Sequence, residues 1–89
     1  MYKIFRTNAF VKDIKIMQKR GKDFSKLKLI IETLASNIRL SPKHKDHKLI
    51  GNWDSFRECH IEPDWLLIYR INNNTLEQVL LDTCSNLIN

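Results

Sequence analysis

A nearly continuous apolar run constrains the fold of this chain more than any other feature of its sequence. Residues 65–71 read Trp-Leu-Leu-Ile-Tyr-Arg-Ile, with one charged side chain among them. A run of this length without polar alternation is typical of a strand that is buried on both faces. Turn-forming residues bound it on each side, Glu-Pro-Asp at 62–64 and three asparagines at 72–74. The sequence therefore predicts the central strand of a sheet at 65–71.

Weaker strand patterns surround this run. Residues 56–61 and 75–81 predict the two strands that the flanking turns connect to it, and the residues around Tyr2 and Ile4 predict a short first strand. Strands joined by tight turns run antiparallel. We therefore expect a largely antiparallel sheet.

Two amphipathic helices are predicted between the first strand and the others. Thr7 or Asn8 can cap the first helix, Gly21 ends it, and Asp23 can cap the second. Apolar residues recur at three- and four-residue steps in each. These stripes consist of Phe10, Val11, Ile14 and Met17 in the first helix and of Phe24, Leu27, Ile30, Ile31 and Leu34 in the second. The order β-α-α-β-β-β predicts a small α+β fold in which a helix hairpin covers one face of the sheet.

Basic residues are concentrated in the first half of the chain. Residues 1–49 hold 13 Lys and Arg against 4 Asp and Glu, whereas residues 50–89 hold 2 against 6. Four of the cations lie in a predicted irregular loop at 38–52: Arg39, Lys43, Lys45 and Lys48. Clustered cations favour a polyanion such as nucleic acid, because binding releases condensed counterions. A solvated, lysine-rich helix face accounts for the same charges, so both interpretations stay open.

The length of 89 residues suits one domain, which we predict over 1–89, and excludes an enzyme with a separate cofactor module. No apolar run approaches the roughly 20 residues needed to cross a bilayer, and the first residues lack a secretory signal. We therefore expect a cytoplasmic protein with no membrane partner. Cys59 and Cys84 form no Cys-x-x-Cys unit, so both are expected to be reduced.

Metal and phosphate-loop chemistry find little support in the sequence. His44 and His47, together with Cys59 and His60, offer zinc-compatible ligand types, but their spacing is not diagnostic of a zinc site. The chain has two glycines, which cannot build a glycine-rich phosphate-binding loop. We therefore predict no metal and no cofactor.

A metal-free cluster is the stronger candidate. His60 ends one predicted strand and Asp64 begins the next, so a tight hairpin brings these two to one end of the sheet, and the basic loop that holds His47 can fold over them. Two imidazoles and a carboxylate among cations can deprotonate a ribose 2′-hydroxyl, stabilise a charged phosphorane and protonate a 5′ leaving oxygen. The alternative is that each histidine satisfies a local backbone group. Arg57 is interpreted as an ion pair with a glutamate of its own strand, with a phosphate contact as the alternative.

The same region resembles a known toxin family. Lys45-Asp46-His47-x-Leu49-x-Gly51-x-Trp53 and the continuous block 56–69 are similar to the YafQ branch of the RelE-type bacterial toxins. Phe10-x-Lys12-Asp13 and the segment 18–23 extend the likeness upstream. The resemblance implies a RelE-like fold and a ribosome-dependent mRNA endonuclease. It also implies a DinJ-like antitoxin partner that inhibits the toxin, and operator DNA contacted only through that antitoxin.

The resemblance and the charge pattern together give the candidate contact residues. His47, His60 and Asp64 match family positions assigned to the active site, and Trp65 matches a neighbouring aromatic position that could stack on a base. Three further substrate contacts are expected from the basic half of the chain: Lys22, Lys26 and Lys45.

The last residues depart from the family pattern. Where that pattern has Arg, His and Phe, this chain has Leu80, Cys84 and Ile88. The arginine would offset transition-state charge and the histidine would act as general acid, so we expect weakened cleavage, with Cys84 as the remaining candidate acid. The alternative is a catalytically degenerate toxin that keeps only antitoxin binding and operator co-repression.

Overall fold

The computed structural model describes residues 1–83. Its longer elements follow the predicted order, and one short strand is added between the second helix and the third strand. The bounds are β1 (Lys3–Arg6), α1 (Asn8–Lys19), α2 (Phe24–Ala35), β2 (His47–Lys48), β3 (Arg57–Glu62), β4 (Trp65–Asn72) and β5 (Thr75–Thr83). The predicted α+β class and the β-α-α-β-β-β order of the longer elements are confirmed.

The strands form one sheet with the order β1-β5-β4-β3-β2. The apolar run, β4, lies at its centre and pairs antiparallel with β3 and β5. β2 also pairs antiparallel, with β3, whereas β1 pairs parallel with β5. The prediction of a largely antiparallel sheet around a buried central strand is confirmed.

Both helices begin at side chains that accept backbone hydrogen bonds. The Phe10 N–H donates to the Thr7 hydroxyl and the Ser25 N–H donates to the Asp23 carboxylate, each at 3.0 Å. Gly21 joins the helices at φ +74°, a left-handed conformation that favours glycine. Apart from Val11, which is exposed, the apolar stripes of both helices pack on one face of the sheet, in a core shared with alternate residues of β3, β4 and β5. Within residues 1–83, neither helix has the length and apolarity to cross a membrane.

The predicted irregular loop at 38–52 is partly regular, which corrects that prediction. It contains 3-10 turns at Pro42–His44 and Gly51–Trp53 and the two-residue strand β2. Elements this short carry no readable periodicity, which is why the sequence pattern missed them. Lys45 lies just before β2 with φ 47° and ψ 43°, so the chain turns through a left-handed residue to enter the sheet.

Candidate functional site

The candidate site lies on the face of the sheet opposite the helices, which we call the distal face. Side chains alternate between faces along a strand, and paired residues on neighbouring strands share a face. Cys59 and Leu67 belong to the helix-side core, so Glu58 and Ile68 project from the distal face. The strand register places the side chains of the distal face in two rows that run across the strands. One row contains His47, Glu58, Ile68 and Leu80, and the other contains His60, Leu66 and Asp82.

His47 is held at the edge of the distal face by its own loop. Its Nδ1 lies 2.6 Å from the Lys45 carbonyl oxygen. Because a carbonyl only accepts hydrogen bonds, this contact assigns the proton of the neutral ring to Nδ1 and leaves the Nε2 lone pair for chemistry. Nε2 is 3.4 Å from Glu58 Oε1, an ion pair whenever the imidazole is protonated. The side chain is half exposed, so a ligand can reach it.

His60 has the same tautomer for a different local reason. It ends the regular pairing of β3, and the turn that follows brings the Pro63 carbonyl to 3.0 Å from its Nδ1. Nδ1 therefore donates, and Nε2 is the acceptor atom of the neutral ring. His60 lies two residues after Glu58 on the same strand, which separates their Cα atoms by about 7 Å. The two histidines thus stand in adjacent rows of the distal face with equivalent nitrogens available.

Asp64 lies in the turn between β3 and β4 and is separated from both imidazoles. Its side chain is 72% exposed, and its Oδ1 is 3.7 Å from Lys22 Nζ. Among residues 1–83, no hydrogen bond or ion pair joins Asp64 to His47 or His60. The structure therefore places the two histidines on one face of the sheet and leaves the carboxylate at the end of the hairpin, beside the junction of the helices.

The predicted substrate lysines differ in their surroundings. Lys22 and Lys26 both contact the Glu62 carboxylate, at 3.4 and 2.9 Å. The hydrogen bond from Lys26, followed by the contacts with Lys22, lowers the pKa of Glu62 below its usual value. Part of the positive charge at this corner is therefore balanced internally. Lys45 is exposed and pairs with no acidic side chain within residues 1–83.

Trp65 is a core side chain in this structure. It is 0% exposed, and its ring makes an edge contact with Phe24 at a centroid distance of 5.8 Å. Lys22 Nζ lies 5.8 Å from the same ring centroid. Neither ring face is available to a nucleotide in this conformation, so stacking of Trp65 on a base stays a prediction. Trp53 is the partly exposed tryptophan, and its ring packs against that of Phe56 with a centroid distance of 5.3 Å.

Sequence reasoning missed a partly buried polar cluster beside the site. The Tyr69 hydroxyl donates to Asp46 Oδ1 at 2.6 Å, and Arg57 Nε lies 3.3 Å from the same oxygen and from the hydroxyl. The expected partner of Arg57, a glutamate of its own strand, is wrong, because Asp46 reaches it from the preceding loop. Burial, followed by the bond to Asp46, raises the pKa of Tyr69 well above its ordinary value. The available signal was Asp46 itself, an acidic residue inside an otherwise basic loop.

Leu80 lies on the distal face, in the same row as His47 and two strands from Glu58. It lines a cavity of about 200 Å³, together with Glu58 and four apolar side chains. The apolar members are Leu49, Ile50, Trp53 and Ile68. Position 80 therefore faces the candidate site, as the family pattern implied. Cys84 and Ile88, the other two departures from that pattern, lie outside the described residues.

The ligand types considered for zinc are not assembled. Within residues 1–83, no three His, Cys, Asp or Glu side chains are grouped so as to hold a metal ion. His44 directs its Nδ1 to the His60 carbonyl oxygen at 2.7 Å. Cys59 packs in the helix-side core, where burial raises the pKa of its thiol far above the ordinary value, so the thiolate that a metal needs is disfavoured.

Known proteins resemble this chain in sequence and in structure. The sequence profile of the family described as "Bacterial toxin of type II toxin-antitoxin system, YafQ" matches residues 2–89. The mRNA interferase toxin YafQ of Escherichia coli K12 is 44% identical over 71 residues, which cover 79% of this chain and 77% of that protein.

Two solved structures extend the likeness to the fold. The copper-bound L66S mutant toxin from Helicobacter pylori has a TM-score of 0.94 at 38% identity, covering 99% of this chain and 100% of that one. The toxin in the Escherichia coli DinJ–YafQ complex has a TM-score of 0.90 at 37% identity, with both chains fully covered. The resemblance found in the sequence is thereby confirmed, and this chain belongs to the YafQ family of toxins from bacterial type II toxin–antitoxin systems.

Proposed function

We propose that this protein is an mRNA endonuclease that acts on ribosome-bound message and is held inactive by a DinJ-like antitoxin in the cytoplasm. The observation that carries the proposal is the pair of histidines on the distal face, each with Nδ1 bonded to a backbone carbonyl and Nε2 left for proton transfer. The activity named for the Escherichia coli relative, an mRNA interferase, is the reaction that such a pair suits.

The proposed reaction needs one proton acceptor and one proton donor. We assign His60 as the base, because its Nε2 makes no hydrogen bond within residues 1–83. It removes the ribose 2′ proton, the 2′ oxygen attacks phosphorus, and the P–O5′ bond breaks to leave a 2′,3′-cyclic phosphate. His47, which pairs with Glu58 when it is protonated, donates the proton to the departing 5′ oxygen. Asp64, at the end of the hairpin, contributes charge balance and orientation.

Ribosome dependence follows from the size and charge of the chain. Residues 1–49 carry a net charge of +9, from 13 basic and 4 acidic side chains, which favours contact with ribosomal RNA. Cavities of about 200 and 330 Å³, the first lined by Glu58 and the second by His60, are too small to orient an RNA strand by themselves. A ribosome that holds the message in place would supply the positioning that lowers the barrier.

An antitoxin is expected to cover part of this basic surface. The solved DinJ–YafQ complex is the precedent for the partner, and electrostatic complementarity favours an acidic antitoxin segment. Operator binding is proposed only through the antitoxin.

A second candidate function rests on Leu80. The family arginine is replaced here by an apolar side chain that lines an apolar cavity, so the distal face lacks a cation at that position. A toxin that binds its antitoxin and represses the shared operator, without cutting message, is consistent with this substitution.

A reconstituted translation system separates these functions. We expect the purified protein to cut message only when ribosomes are present, and a zinc-selective chelator to leave cutting unchanged. His47→Ala and His60→Ala should each reduce the rate by about 10²–10⁴, as loss of a positioned acid or base does, with little change in melting temperature. Asp64→Ala removes a charge beside Lys22 and should reduce the rate by less. Asp54→Ala, another exposed turn aspartate, is the matched control for Asp64→Ala.

Cleavage of naked RNA would contradict the ribosome-dependent mechanism. Antitoxin binding without any cleavage would favour the second function. A large loss of melting temperature in His60→Ala would identify a structural histidine.

A further inference from the structure

Three side chains form a partly buried link between the central strand and the loop that carries His47. Tyr69 on β4 and Arg57 on β3 are cross-strand partners, and both reach the Asp46 carboxylate through the same oxygen, Oδ1. The tyrosine is 1% exposed, whereas the Asp46 side chain is 20% exposed, so their 2.6 Å hydrogen bond is partly buried. We call this group the Asp46 clamp.

The clamp acts at the point where the chain crosses the edge of the sheet. Asp46 reaches Tyr69 on the helix-covered side, whereas His47, the next residue, pairs with Glu58 and projects from the distal face. The backbone just before this crossing adopts a left-handed conformation at Lys45, an uncommon state for a residue with a side chain. The carbonyl of that strained residue is the acceptor for His47 Nδ1.

Side-chain contacts hold this carbonyl from both sides. Before it, His44 Nδ1 contacts the His60 carbonyl at 2.7 Å, and after it, Asp46 is held by Tyr69. β2 is two residues long, so its own backbone pairing contributes little to fixing the loop. A left-handed residue persists where its surroundings enforce it. The Lys45 N–H donates to the Pro42 carbonyl at 3.1 Å, and the two side-chain contacts hold the residues on either side of Lys45.

We propose that Tyr69 is a positioning residue for His47. Its hydroxyl holds Asp46, Asp46 fixes the Lys45 carbonyl, and that carbonyl fixes the Nδ1–H tautomer of the His47 imidazole. The catalytic consequence rests on the proposed function, whereas the tautomer itself does not. Tyr69 touches no reacting atom, and its effect on the reaction is therefore indirect.

Ring-nitrogen NMR tests the positioning role without any substrate. We expect the wild-type protein to give the coupling pattern of an Nδ1–H imidazole at His47, and Tyr69→Phe to shift it to the pattern of exchanging tautomers. Tyr2→Phe is the matched control: it removes the other tyrosine hydroxyl, whose 3.4 Å contact with Asn37 is exposed, and should leave His47 unchanged. Backbone amide spectra of the same samples report whether each variant is folded.

If Tyr69→Phe does not fold, Asp46→Ala tests the same clamp with the core tyrosine in place. An unchanged His47 tautomer in the folded variant would overturn the proposal. In ribosome-dependent cleavage, Tyr69→Phe should lower the single-turnover rate by about tenfold to a hundredfold with ribosome affinity unchanged, the scale expected for a misplaced catalytic group.

The two proposals fail in different ways. If the wild-type protein does not cut message but Tyr69→Phe shows the expected change of the His47 tautomer, the endonuclease proposal is refuted and the clamp is supported. If the wild-type protein cuts message and Tyr69→Phe has the same cleavage rate and the same His47 tautomer, the clamp is refuted and the endonuclease proposal is supported.

Discussion

Restoring a cation at position 80 should raise cleavage. Leu80 shares a row of the distal face with Glu58 and His47, across strands about 4.8 Å apart. Its Cα is therefore about 10 Å from that of Glu58 and about 14 Å from that of His47. An arginine at this position, extended along the row, can place its guanidinium beside a phosphate held between the two histidines.

The magnitude follows from Coulomb's law in a partly exposed cleft. A guanidinium about 5.5 Å from a phosphoryl oxygen contributes roughly 1.5–3 kcal/mol at an effective dielectric constant of about 20–40. Glu58 lines the same cavity and competes for the guanidinium, which places the expected gain near the lower end. Because about 1.4 kcal/mol corresponds to tenfold in rate, Leu80→Arg should accelerate the chemical step by about tenfold.

Single-turnover cleavage of ribosome-bound message measures this gain directly. Leu80→Gln, which is polar and uncharged, is the control, and it should leave the rate near that of the wild type. Circular dichroism melts should show a small loss of stability in both variants, because Leu80 is partly buried. An equal acceleration in Leu80→Gln would refute the electrostatic reasoning. No acceleration in a folded Leu80→Arg variant would mean that position 80 does not reach the scissile phosphate.

Three further predictions concern other parts of the chain. Trp65→Ala should cost about 3–5 kcal/mol in urea unfolding, because it empties a core site, and Trp53→Ala, at a partly exposed site, should cost less than half as much; equal losses would contradict the core assignment. Glu62→Gln should lower the melting temperature at neutral pH. Because the native pKa of Glu62 is lowered, the stabilisation by its ion pairs is present above the ordinary glutamate pKa of about 4.3 and is lost as the pH falls through the native value, where the melting temperatures of the wild type and the variant should converge. A difference in melting temperature that does not depend on pH would exclude the ion pairs as the source of the stabilisation. Lys28→Ala should reduce the slope of log ribosome affinity against log salt by about one, and an unchanged slope would identify a solvated lysine.

The elements that the sequence predicted are those specified by local patterns. The run at 65–71 falls within β4, and its five consecutive apolar residues, 65–69, are buried in the middle of the sheet. Thr7 and Asp23 cap the helices through bonds to residues two or three positions later, which a short sequence window contains. The location of His60 next to the turn followed from the β3–β4 hairpin, whereas the location of His47 on the same face depends on β2, which is too short to predict.

The features that the sequence could not reveal depend on contacts between distant residues. Asp46 meets Tyr69 across 23 positions, and Lys26 meets Glu62 across 36. Neither pairing leaves a local sequence pattern. The register of the sheet and the packing of the helices decide which of several carboxylates contacts a given cation or hydroxyl. Asp64 is the clearest case: its sequence position next to the hairpin suggested a contact with His60, and the turn directs it to Lys22 instead.

Along β5, neighbouring side chains alternate between the helix-side core, which stabilises the fold, and the distal face, which carries the candidate site. Leu81 packs in the helix-side core, while its neighbour Leu80 projects from the distal face. A change at position 81 would disturb the packing, whereas a change at position 80 leaves the core intact, so the family arginine can be lost without altering the backbone. The TM-score of 0.94 to the Helicobacter pylori toxin reports agreement of the backbones and is insensitive to the side chain at position 80. Under the proposed function, the rate of message cleavage therefore depends on the distal face, where His47 and His60 must act without a cation at position 80.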